Sequence, residues 1–362
     1  QGIYRGIAYE ASLLVVKLAP RSPLGFPQTT QIMEAVDFCI RKSIELKMPV
    51  SINLSLGNTY GSHSGTSLLE TYLNDVQGVY KTNIIVGSGN EGSSNGHTGG
   101  LLTNRNETIE LSIGDFTPNL TIQFWKKYWD TVAITIEAPS GQSARLDLST
   151  GVQRLNLDSA SLYITNSPPS PYSIFEETYI DMLPTASYVS SGVWKIILSP
   201  IQIKDGQFDL WLPSATARNA STGFLASLPE TTLTIPSTAC KVITVGAYNS
   251  YSDTLAAFSG RGFTWSTDFK KPDLVAPGVD IISCAAGGGY SSKTGTSMAA
   301  PFVTGACALL MEWGIVRENN PYMYGERIKA ALIQGTRRLP FMSTLPSPEA
   351  GWGALCLDFL LE

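Results

Sequence analysis

The sequence predicts an α/β protein with a parallel sheet flanked by helices, interrupted by an inserted all-β domain. Two changes of periodicity along the 362 residues lead to this prediction. Residues 1–100 alternate strand-like runs with helical spacing, residues 101–232 alternate apolar with polar side chains, and residues 233–362 return to the first pattern. We therefore expect the outer two segments to form one α/β domain and the middle segment to form a β-sandwich or jelly roll.

The first segment contains three predicted strands and two predicted helices. Residues 13–16 are an apolar run typical of a buried strand, and residues 50–55 and 84–86 are similar runs. Residues 30–47 and 68–79 have apolar side chains three and four positions apart, which predicts helices. Strands that alternate with helices of this length predict right-handed βαβ units and hence a parallel sheet.

The middle segment has strand periodicity. Apolar and polar residues alternate in 120–125 and 132–136, and 193–198 is a longer apolar run. Asp205-Gly206 lies between alternating flanks, which predicts a hairpin within 201–212 because glycine accepts positive φ. The α/β pattern resumes at residues 242–245, so the β segment is an insertion.

Composition and charge exclude two classes of partner. The net charge is −5, with 15% charged residues, whereas a nucleic-acid-binding domain needs a basic face. No stretch reaches the roughly 18 apolar residues of a membrane helix, so we expect neither nucleic acid nor membrane as a partner. We expect no cofactor or metal, and free buried thiols at the five scattered cysteines, positions 39, 240, 284, 307 and 356.

Ser297 is the first candidate for catalysis because it starts a predicted helix. It lies in residues 295–301, and the residues that follow have helical spacing and many small side chains, which favours a central helix. The positive end of the helix dipole and the Ser297 N–H would stabilise a carbonyl oxygen that becomes an oxyanion. The alternative is an ordinary N-cap serine, which is common. Position alone leaves both interpretations open.

The residues around this serine match a known family. Residues 295–301, Gly-Thr-Ser-Met-Ala-Ala-Pro, resemble the nucleophile motif of the subtilisin-like serine proteases. Outside the β-rich insertion, the chain is similar to that family over nearly its whole length, which implies a subtilisin-like parallel sheet. The other matching motifs occur in the family's order at 55–57, 87–92, 245–247, 257–259, 272–278 and 351–353.

The resemblance implies a role for each matched site residue. Ser297 would be the nucleophile and would offer its N–H to the oxyanion, and Asn90 would donate its side-chain amide to the same oxyanion. An extended peptide or protein substrate would pair with the strand Ser55, Leu56 and Gly57. The pocket for the side chain before the cut bond would be lined by Gly87, Ser88 and Gly89.

The family's mechanism also requires a histidine and an aspartate that the sequence does not supply where expected. The family carries both upstream of the region that this chain's opening resembles, and no aspartate precedes Asp37. His63 and His97 are expected to be exposed loop residues that do not act as the base. We therefore expect a sheet lacking its N-terminal part, in a fragment or cleavage product that is inactive without the segment carrying the Asp and His. Loss of that segment from the gene is the third alternative.

The inserted β domain narrows the resemblance. A jelly roll between the oxyanion loop and the nucleophile is similar to the Csp subtilases of spore-forming clostridia. This resemblance implies a bacterial serine endopeptidase that performs limited activation cleavage in spore germination, located outside the cytoplasm or on the spore. The alternative is a pseudoprotease or binding scaffold that recognises a protein or glycan partner through the β domain.

Overall fold

The computed structural model describes residues 4–18, 26–149, 151–167, 173–264 and 269–358. A 3₁₀ turn covers Ala215–Ala217, and a π-helical turn, Glu312–Val316, continues the third helix. The α-helices within the described ranges are α1 (Thr29–Leu46), α2 (Leu68–Val76), α3 (Thr296–Met311) and α4 (Glu326–Gln334).

The strands are numbered in chain order. They are β1 (Val50–Leu54), β2 (Thr82–Gly87), β3 (His97–Leu101), β4 (Glu107–Ile113), β5 (Leu120–Lys127), β6 (Thr131–Glu137), β7 (Ser143–Arg145), β8 (Gly151–Leu157), β9 (Ala160–Asn166), β10 (Phe175–Pro184), β11 (Gly192–Gln202), β12 (Gln207–Trp211), β13 (Gly223–Phe224), β14 (Ile243–Asn249), β15 (Thr254–Leu255), β16 (Leu274–Pro277), β17 (Ile281–Cys284) and β18 (Tyr290–Lys293).

The chain divides into two compact units. The α/β unit comprises Gln1–Asn58, His63–Gly92 and Glu230–Glu362. The β unit comprises Thr59–Ser62 and Ser93–Pro229. In sequence, therefore, the β unit interrupts the α/β unit.

The sheet of the α/β unit confirms the predicted parallel architecture. β1 pairs with β2, β2 with β14, and β14 with β16, all in parallel, and the short β15 pairs antiparallel with β14. Along β2, Ile85 faces the core formed with α3, whereas Ile84 and Val86 face the core formed with α1 and α2. Successive side chains of a strand point to opposite faces, so a continuous apolar run becomes a strand buried by helices on both sides.

The two helices of the first segment form as their spacing predicts. α1 covers the predicted 30–47 except for the last residue, and it buries Ile32, Val36 and Ile40 on one stripe. α2 ends at Val76, three residues before the predicted end. α2 begins at a capping box, in which Ser67 Oγ accepts from the Glu70 N–H and Glu70 Oε2 accepts from the Ser67 N–H. Burial raises the pKa of Glu70 above its ordinary value, and hydrogen bonds from Thr238 and Ser67 offset only part of this rise. The cap satisfies N–H groups that a helix start otherwise leaves unpaired.

The predicted strand at residues 13–16 is wrong. Residues 12–18 have no regular secondary structure and pair with no strand among the described residues. Leu13 is 89% exposed and Val15 85%, whereas Val16 and Leu18 pack against the core of α1 and α2. A strand needs a neighbour for its backbone hydrogen bonds, and in the described sheet β1 pairs on one side only, with β2. An apolar run is therefore not sufficient to form a strand where no neighbouring strand is available.

The β unit has the predicted antiparallel construction. A six-stranded sheet has the order β3-β12-β5-β10-β9-β8, and a five-stranded sheet has the order β13-β4-β11-β6-β7. Alternate residues of both sheets, such as Phe124, Ile180 and Ile196, form one buried core. The alternation in 120–125 and 132–136 is confirmed by β5 and β6.

The predicted hairpin around Asp205-Gly206 is wrong in its pairing. The turn exists, with Gly206 at φ +83°. However, β11 before it belongs to the five-stranded sheet and β12 after it to the six-stranded sheet. The Asp130 carboxylate fixes the turn by accepting backbone N–H groups of Lys204, Asp205 and Gly206 at 2.6, 3.0 and 2.8 Å. Turn chemistry reverses the chain locally, whereas the apolar faces of β11 and β12 decide which sheet each strand joins.

The expectation of buried free thiols holds for two of the five cysteines, since Cys240 and Cys356 are only partly buried and Cys284 is exposed. All five are free thiols, and Cys39 and Cys307 are buried. Cys284 at the end of β17 is exposed, which contradicts the expectation of buried thiols. Cys284 lies in β17, which pairs with β18 in a two-stranded sheet that is separate from the three larger sheets of the described residues.

Within the residues that the structure describes, one helical stretch is long and apolar enough to cross a membrane by length and composition, contrary to expectation. It covers Thr296–Val316, with 21 residues and a mean hydropathy of 1.5. Its first part is α3, whose Ala299, Val303 and Ala306 are buried in the core of the α/β unit. Such packing is that of the core helix of a globular domain.

Candidate active site

Ser297 is the second residue of α3, not its N-cap. The N-cap is Gly295 at φ +151°, so the interpretation of Ser297 as a capping serine is excluded. The Ser297 side chain is half-buried, and its hydroxyl donates to Ser55 O at 3.4 Å. Its backbone N–H belongs to the first turn, where helical N–H groups have no intrahelical acceptor. Both groups that an acyl-transfer nucleophile needs are thus present on one residue.

Asn90 presents its side-chain N–H₂ at the start of the same helix. Its Oδ1 accepts from the Thr296 N–H at 3.0 Å and from the Thr296 hydroxyl at 3.2 Å. Its Nδ2 forms no hydrogen bond within the part of the chain that the structure describes, and a Cβ on Gly295 would lie 3.4 Å from it. The side chain of Asn90 is exposed. The amide is therefore held by its oxygen and free at its nitrogen.

Thr296 is a candidate site residue that sequence reasoning missed. Its side chain is buried, and its hydroxyl accepts from the Gly89 N–H at 3.1 Å while donating to Asn90 Oδ1. One hydroxyl therefore connects the loop that carries Asn90 to the helix that carries Ser297. The available signal was a polar side chain directly before the nucleophile, at a position where the helix start is buried.

Ser55, Leu56 and Gly57 continue the chain directly after β1. Ser55 Oγ donates to Ser297 O at 2.9 Å, so this segment begins beside the nucleophile. After Gly57, Asn58 forms an antiparallel bridge with Ile235 through N–H···O contacts of 3.0 and 2.8 Å. A Cβ on Gly57 would lie 2.3 Å from Thr234 Oγ1, so only glycine permits this approach.

Gly87, Ser88 and Gly89 form the end of β2 and the start of the Asn90 loop. Gly87 and Ser88 are buried, and a Cβ on Gly87 would lie 3.1 Å from Thr296 O. Ser88 O accepts from Thr234 N at 3.0 Å, and the buried Ser88 Oγ has no hydrogen-bond partner among the described residues. Gly89 has φ +98° and packs on the Thr234 side chain. Small residues here allow the loop to approach both α3 and Thr234.

The expectation of exposed histidines is wrong for both. His63 is buried, and its Nδ1 lies 2.7 Å from Leu233 O. His97 begins β3, is buried, and places Nε2 2.7 Å from Asp209 Oδ1. Polar partners within each unit compensate for the loss of water around the two rings. Within the described ranges, Ser55 O is the acceptor bonded by the Ser297 hydroxyl, so neither histidine stands in hydrogen-bond contact as a general base.

The motif at 272–278 contributes a buried charge network that supports β14 and β16. Lys271 Nζ donates to Val242 O at 2.6 Å, Thr244 Oγ1 at 2.9 Å and Asp273 Oδ2 at 2.6 Å. Lys329 on α4 reaches Asp273 Oδ1 at 2.9 Å. Burial lowers the pKa of Lys271, and although burial alone would raise the pKa of Asp273, the two ammonium groups lower it. The network stabilises the neighbouring strands β14 and β16, which α3 contacts.

Comparisons with known proteins relate both the sequence and the fold of this chain to one protein family. Residues 219–353 match the model of the subtilase family. The solved structure of the Clostridium perfringens CspB protease is similar with a TM-score of 0.88 and 40% identity, covering 94% of this chain and 72% of that chain.

Two curated proteases are similar over shorter regions. The thermophilic serine proteinase of Bacillus sp. strain AK1 is 51% identical over 73 residues, which are 20% of this chain and 16% of that protein. The serine protease AprX of Bacillus subtilis is 36% identical over 125 residues, 29% of this chain and 27% of that protein. The matches thus span well under a third of either curated relative. Together with the extended likeness to CspB, the motifs and the fold show that this chain belongs to the subtilase family of serine proteases.

Proposed function

We propose that this chain supplies the nucleophile and the oxyanion hole of a serine endopeptidase. The observation that carries the proposal is the pair of free donors at the start of α3, the Ser297 N–H and Asn90 Nδ2, with Asn90 held by Thr296. Donors oriented before the reaction stabilise the charge that develops on a carbonyl oxygen in the transition state. The Ser297 hydroxyl, half-exposed beside them, is the attacking group.

The substrate in this proposal is an extended peptide or protein segment. It pairs with the backbone of Ser55, Leu56 and Gly57 next to the nucleophile, which provides main-chain affinity without a strict sequence requirement. The side chain before the cut bond lies against Gly87, Ser88 and Gly89. The bridge from Asn58 to Ile235 supports this assignment because it fixes the far end of the segment.

The general base and its orienting carboxylate come, in this proposal, from a polypeptide segment outside these 362 residues. Two features support it: Leu13 and Val15 are exposed apolar side chains, and β1 has an unpaired edge in the described sheet. A segment bearing the histidine and aspartate would cover both. Without it, the Ser297 hydroxyl is a weak nucleophile, and the chain alone is inactive.

The reaction follows from these groups. The histidine takes the Ser297 hydroxyl proton while Oγ attacks the carbonyl carbon, and the oxyanion accepts from the Ser297 N–H and Asn90 Nδ2. The same histidine then gives the proton to the leaving amine as the C–N bond breaks. Water, activated in the same way, hydrolyses the acyl ester and restores the Ser297 hydroxyl.

The biological role proposed is limited activation cleavage during spore germination, outside the cytoplasm or on the spore. It is supported by the likeness to the CspB protease over 94% of this chain and by the jelly-roll-like β unit that interrupts the family's sequence. Limited cleavage suits a protease that activates a precursor rather than degrading it.

A binding scaffold is the second candidate, favoured by one face of the β unit. On the six-stranded sheet, Trp125, Tyr163 and Tyr179 lie on the side opposite the core, and Glu177 is opposite Trp125 in the strand pairing. Aromatic rings beside a carboxylate suit a protein or glycan partner. In this case Ser297→Ala leaves partner binding unchanged, and the reconstituted chain does not react with serine-directed probes.

Labelling with a fluorophosphonate probe tests the proposal. The chain alone is compared with the full-length protein that contains it and with the chain co-expressed with a subtilase segment bearing the aspartate and histidine. We expect labelling of Ser297 in the reconstituted forms, and none in the chain alone or in Ser297→Ala. Leu13→Lys with Val15→Lys should prevent reconstitution without unfolding the chain. Absence of labelling in every reconstituted form would contradict a hydrolase function.

A further inference from the structure

The backbone carbonyl of Ser297 loses its helical hydrogen bond. In an α-helix this oxygen accepts from the N–H four residues later, and that residue is Pro301, which lies inside α3 and has no N–H. A carbonyl in this position needs another donor. One backbone carbonyl of the turn that carries Ser297 is therefore not held by the helix itself.

Ser55 supplies the missing donor. Its Oγ lies 2.9 Å from Ser297 O, and in the opposite direction the Ser297 hydroxyl lies 3.4 Å from Ser55 O. The two serines are thus joined by reciprocal side-chain to backbone contacts between the end of β1 and the start of α3. Ser55 contacts the nucleophile with its side chain in addition to offering its backbone to substrate.

Asn53 determines which way the Ser55 hydroxyl points. Asn53 Nδ2 lies 2.9 Å from Ser55 Oγ. An amide nitrogen only donates, so Ser55 Oγ accepts this bond and keeps its own proton for Ser297 O. The orientation of Asn53 is therefore coupled to the backbone of the nucleophile.

Thr304, two turns along α3, determines the orientation of Asn53. Its hydroxyl lies 3.0 Å from Asn53 Oδ1 and 3.1 Å from Ala300 O in its own helix, and its single proton serves these two acceptors. Ser51 Oγ donates to Thr304 O at 3.0 Å, which fixes this turn of α3 against β1. A threonine inside a helix can bond its hydroxyl to the carbonyl four residues earlier without any outside partner. The Thr304 hydroxyl makes that contact and also reaches Asn53 Oδ1.

We propose that Thr304 and Asn53 are positioning residues that act on Ser297 through Ser55. The inference rests on the proposed protease function. The relay runs from the Thr304 hydroxyl to Asn53 Oδ1, from Asn53 Nδ2 to Ser55 Oγ, and from the Ser55 hydroxyl to Ser297 O. It replaces the hydrogen bond that Pro301 removes and keeps the Ser297 Oγ and N–H in place for attack.

The test measures kcat and KM on a peptide substrate in the full-length or reconstituted enzyme. Thr304→Val keeps the shape of the side chain and removes the donor, and we expect kcat to fall about tenfold, the effect of one hydrogen bond, with KM unchanged. Thr304→Ser restores the hydroxyl and should restore most of kcat. Thr71→Val, the same change at an exposed position of α2, is the matched control and should leave both constants unchanged.

A double-mutant cycle separates positioning from a general effect on folding. If Thr304 acts through Ser55, Thr304→Val should have no further effect on kcat in the Ser55→Ala background. Independent, multiplicative losses, or a Thr304→Val variant with wild-type kcat in an active enzyme, would overturn the relay and leave the protease function intact. A full-length enzyme that neither cleaves peptides nor labels at Ser297 would overturn both.

Discussion

Asn90 Oδ1 accepts two hydrogen bonds from one residue, Thr296, through its N–H at 3.0 Å and its hydroxyl at 3.2 Å. Because only the oxygen of the amide can accept, these bonds orient the carboxamide and leave Nδ2 as the outward donor. Thr296 directly precedes Ser297, so the two proposed oxyanion donors, Asn90 Nδ2 and the Ser297 N–H, are fixed relative to each other.

Replacing Asn90 should lower kcat and leave KM nearly unchanged. Asn90→Ala removes a donor used mainly in the transition state, and removal of such a donor from a subtilisin lowers kcat by about 10²–10³-fold, a value we adopt for this chain. Steady-state kinetics of the full-length enzyme measures it. Asn106→Ala, at an exposed position of the β unit, is the control, and an Asn90→Ala enzyme with kcat within twofold of wild type would refute the oxyanion role.

Thr296→Val should impair catalysis through Asn90. Valine keeps the volume but leaves the Gly89 N–H without its acceptor and Asn90 Oδ1 with one donor. We expect kcat to fall about tenfold and the free energy of unfolding to fall by about 1–3 kcal/mol, as for a buried donor left unpaired. Kinetics and urea denaturation measure the two effects. Thr296→Ser should recover both, and if it behaves like Thr296→Val the hydroxyl has no role.

Gly89→Ala should destabilise the α/β unit by steric conflict with Thr234. A Cβ at Gly89 would lie 2.5 Å from Thr234 Cγ2, at a φ of +98°. We expect a loss of about 2–4 kcal/mol in unfolding free energy, of which about 1–2 comes from the backbone conformation. Gly141 has a similar φ of +85°, and no atom lies within 4 Å of an added Cβ. Gly141→Ala therefore measures the loss of unfolding free energy that comes from the backbone conformation alone.

The steric part should disappear when its partner is reduced. In a Thr234→Gly background, which also removes the Thr234 Cβ that would lie 3.0 Å from the added methyl, Gly89→Ala should cost roughly as little as Gly141→Ala, measured by denaturant unfolding. Equal losses in both backgrounds would show that Thr234 does not limit this site.

Glu177 should make the stability of the protein fall as pH rises towards neutrality. Burial raises the pKa of Glu177 to about 7, whereas an unfolded glutamate titrates near 4.3. Between about pH 4.3 and 7 the folded state holds a proton that the unfolded state has released, so folding is progressively penalised over this window. Glu177→Gln should remove this dependence and stabilise the protein at pH 8 by on the order of 1–3 kcal/mol.

Thermal and denaturant unfolding at pH 4 to 8 measures this effect. Glu107→Gln, an exposed carboxylate on β4, is the control and should leave the slope with pH unchanged. A Glu177→Gln variant with the same pH slope as wild type would show that the carboxyl is solvated in the folded protein.

The order of motifs and the periodicity of the chain predicted most of the fold. Helical spacing located α1 and α2, and alternation located β5 and β6, because these patterns reflect which face of an element is buried. The two wrong predictions about strand pairing share one cause. The apolar run at 13–16 and the turn at Asp205-Gly206 describe local conformation, but strand pairing depends on a distant neighbour that no local pattern names.

The sequence by itself singled out Ser297 and Asn90 as the candidate nucleophile and its candidate amide donor, because both lie in motifs whose residues are adjacent along the chain. Only the tertiary structure decided how these residues are held. Thr296 bridges to Gly89 and Asn90, Thr304 connects to Asn53, and both histidines are buried by partners far away in sequence. Hydrogen bonds act over about 3 Å in space, so the partners of a side chain are known only once the sheet and helices have brought distant segments together.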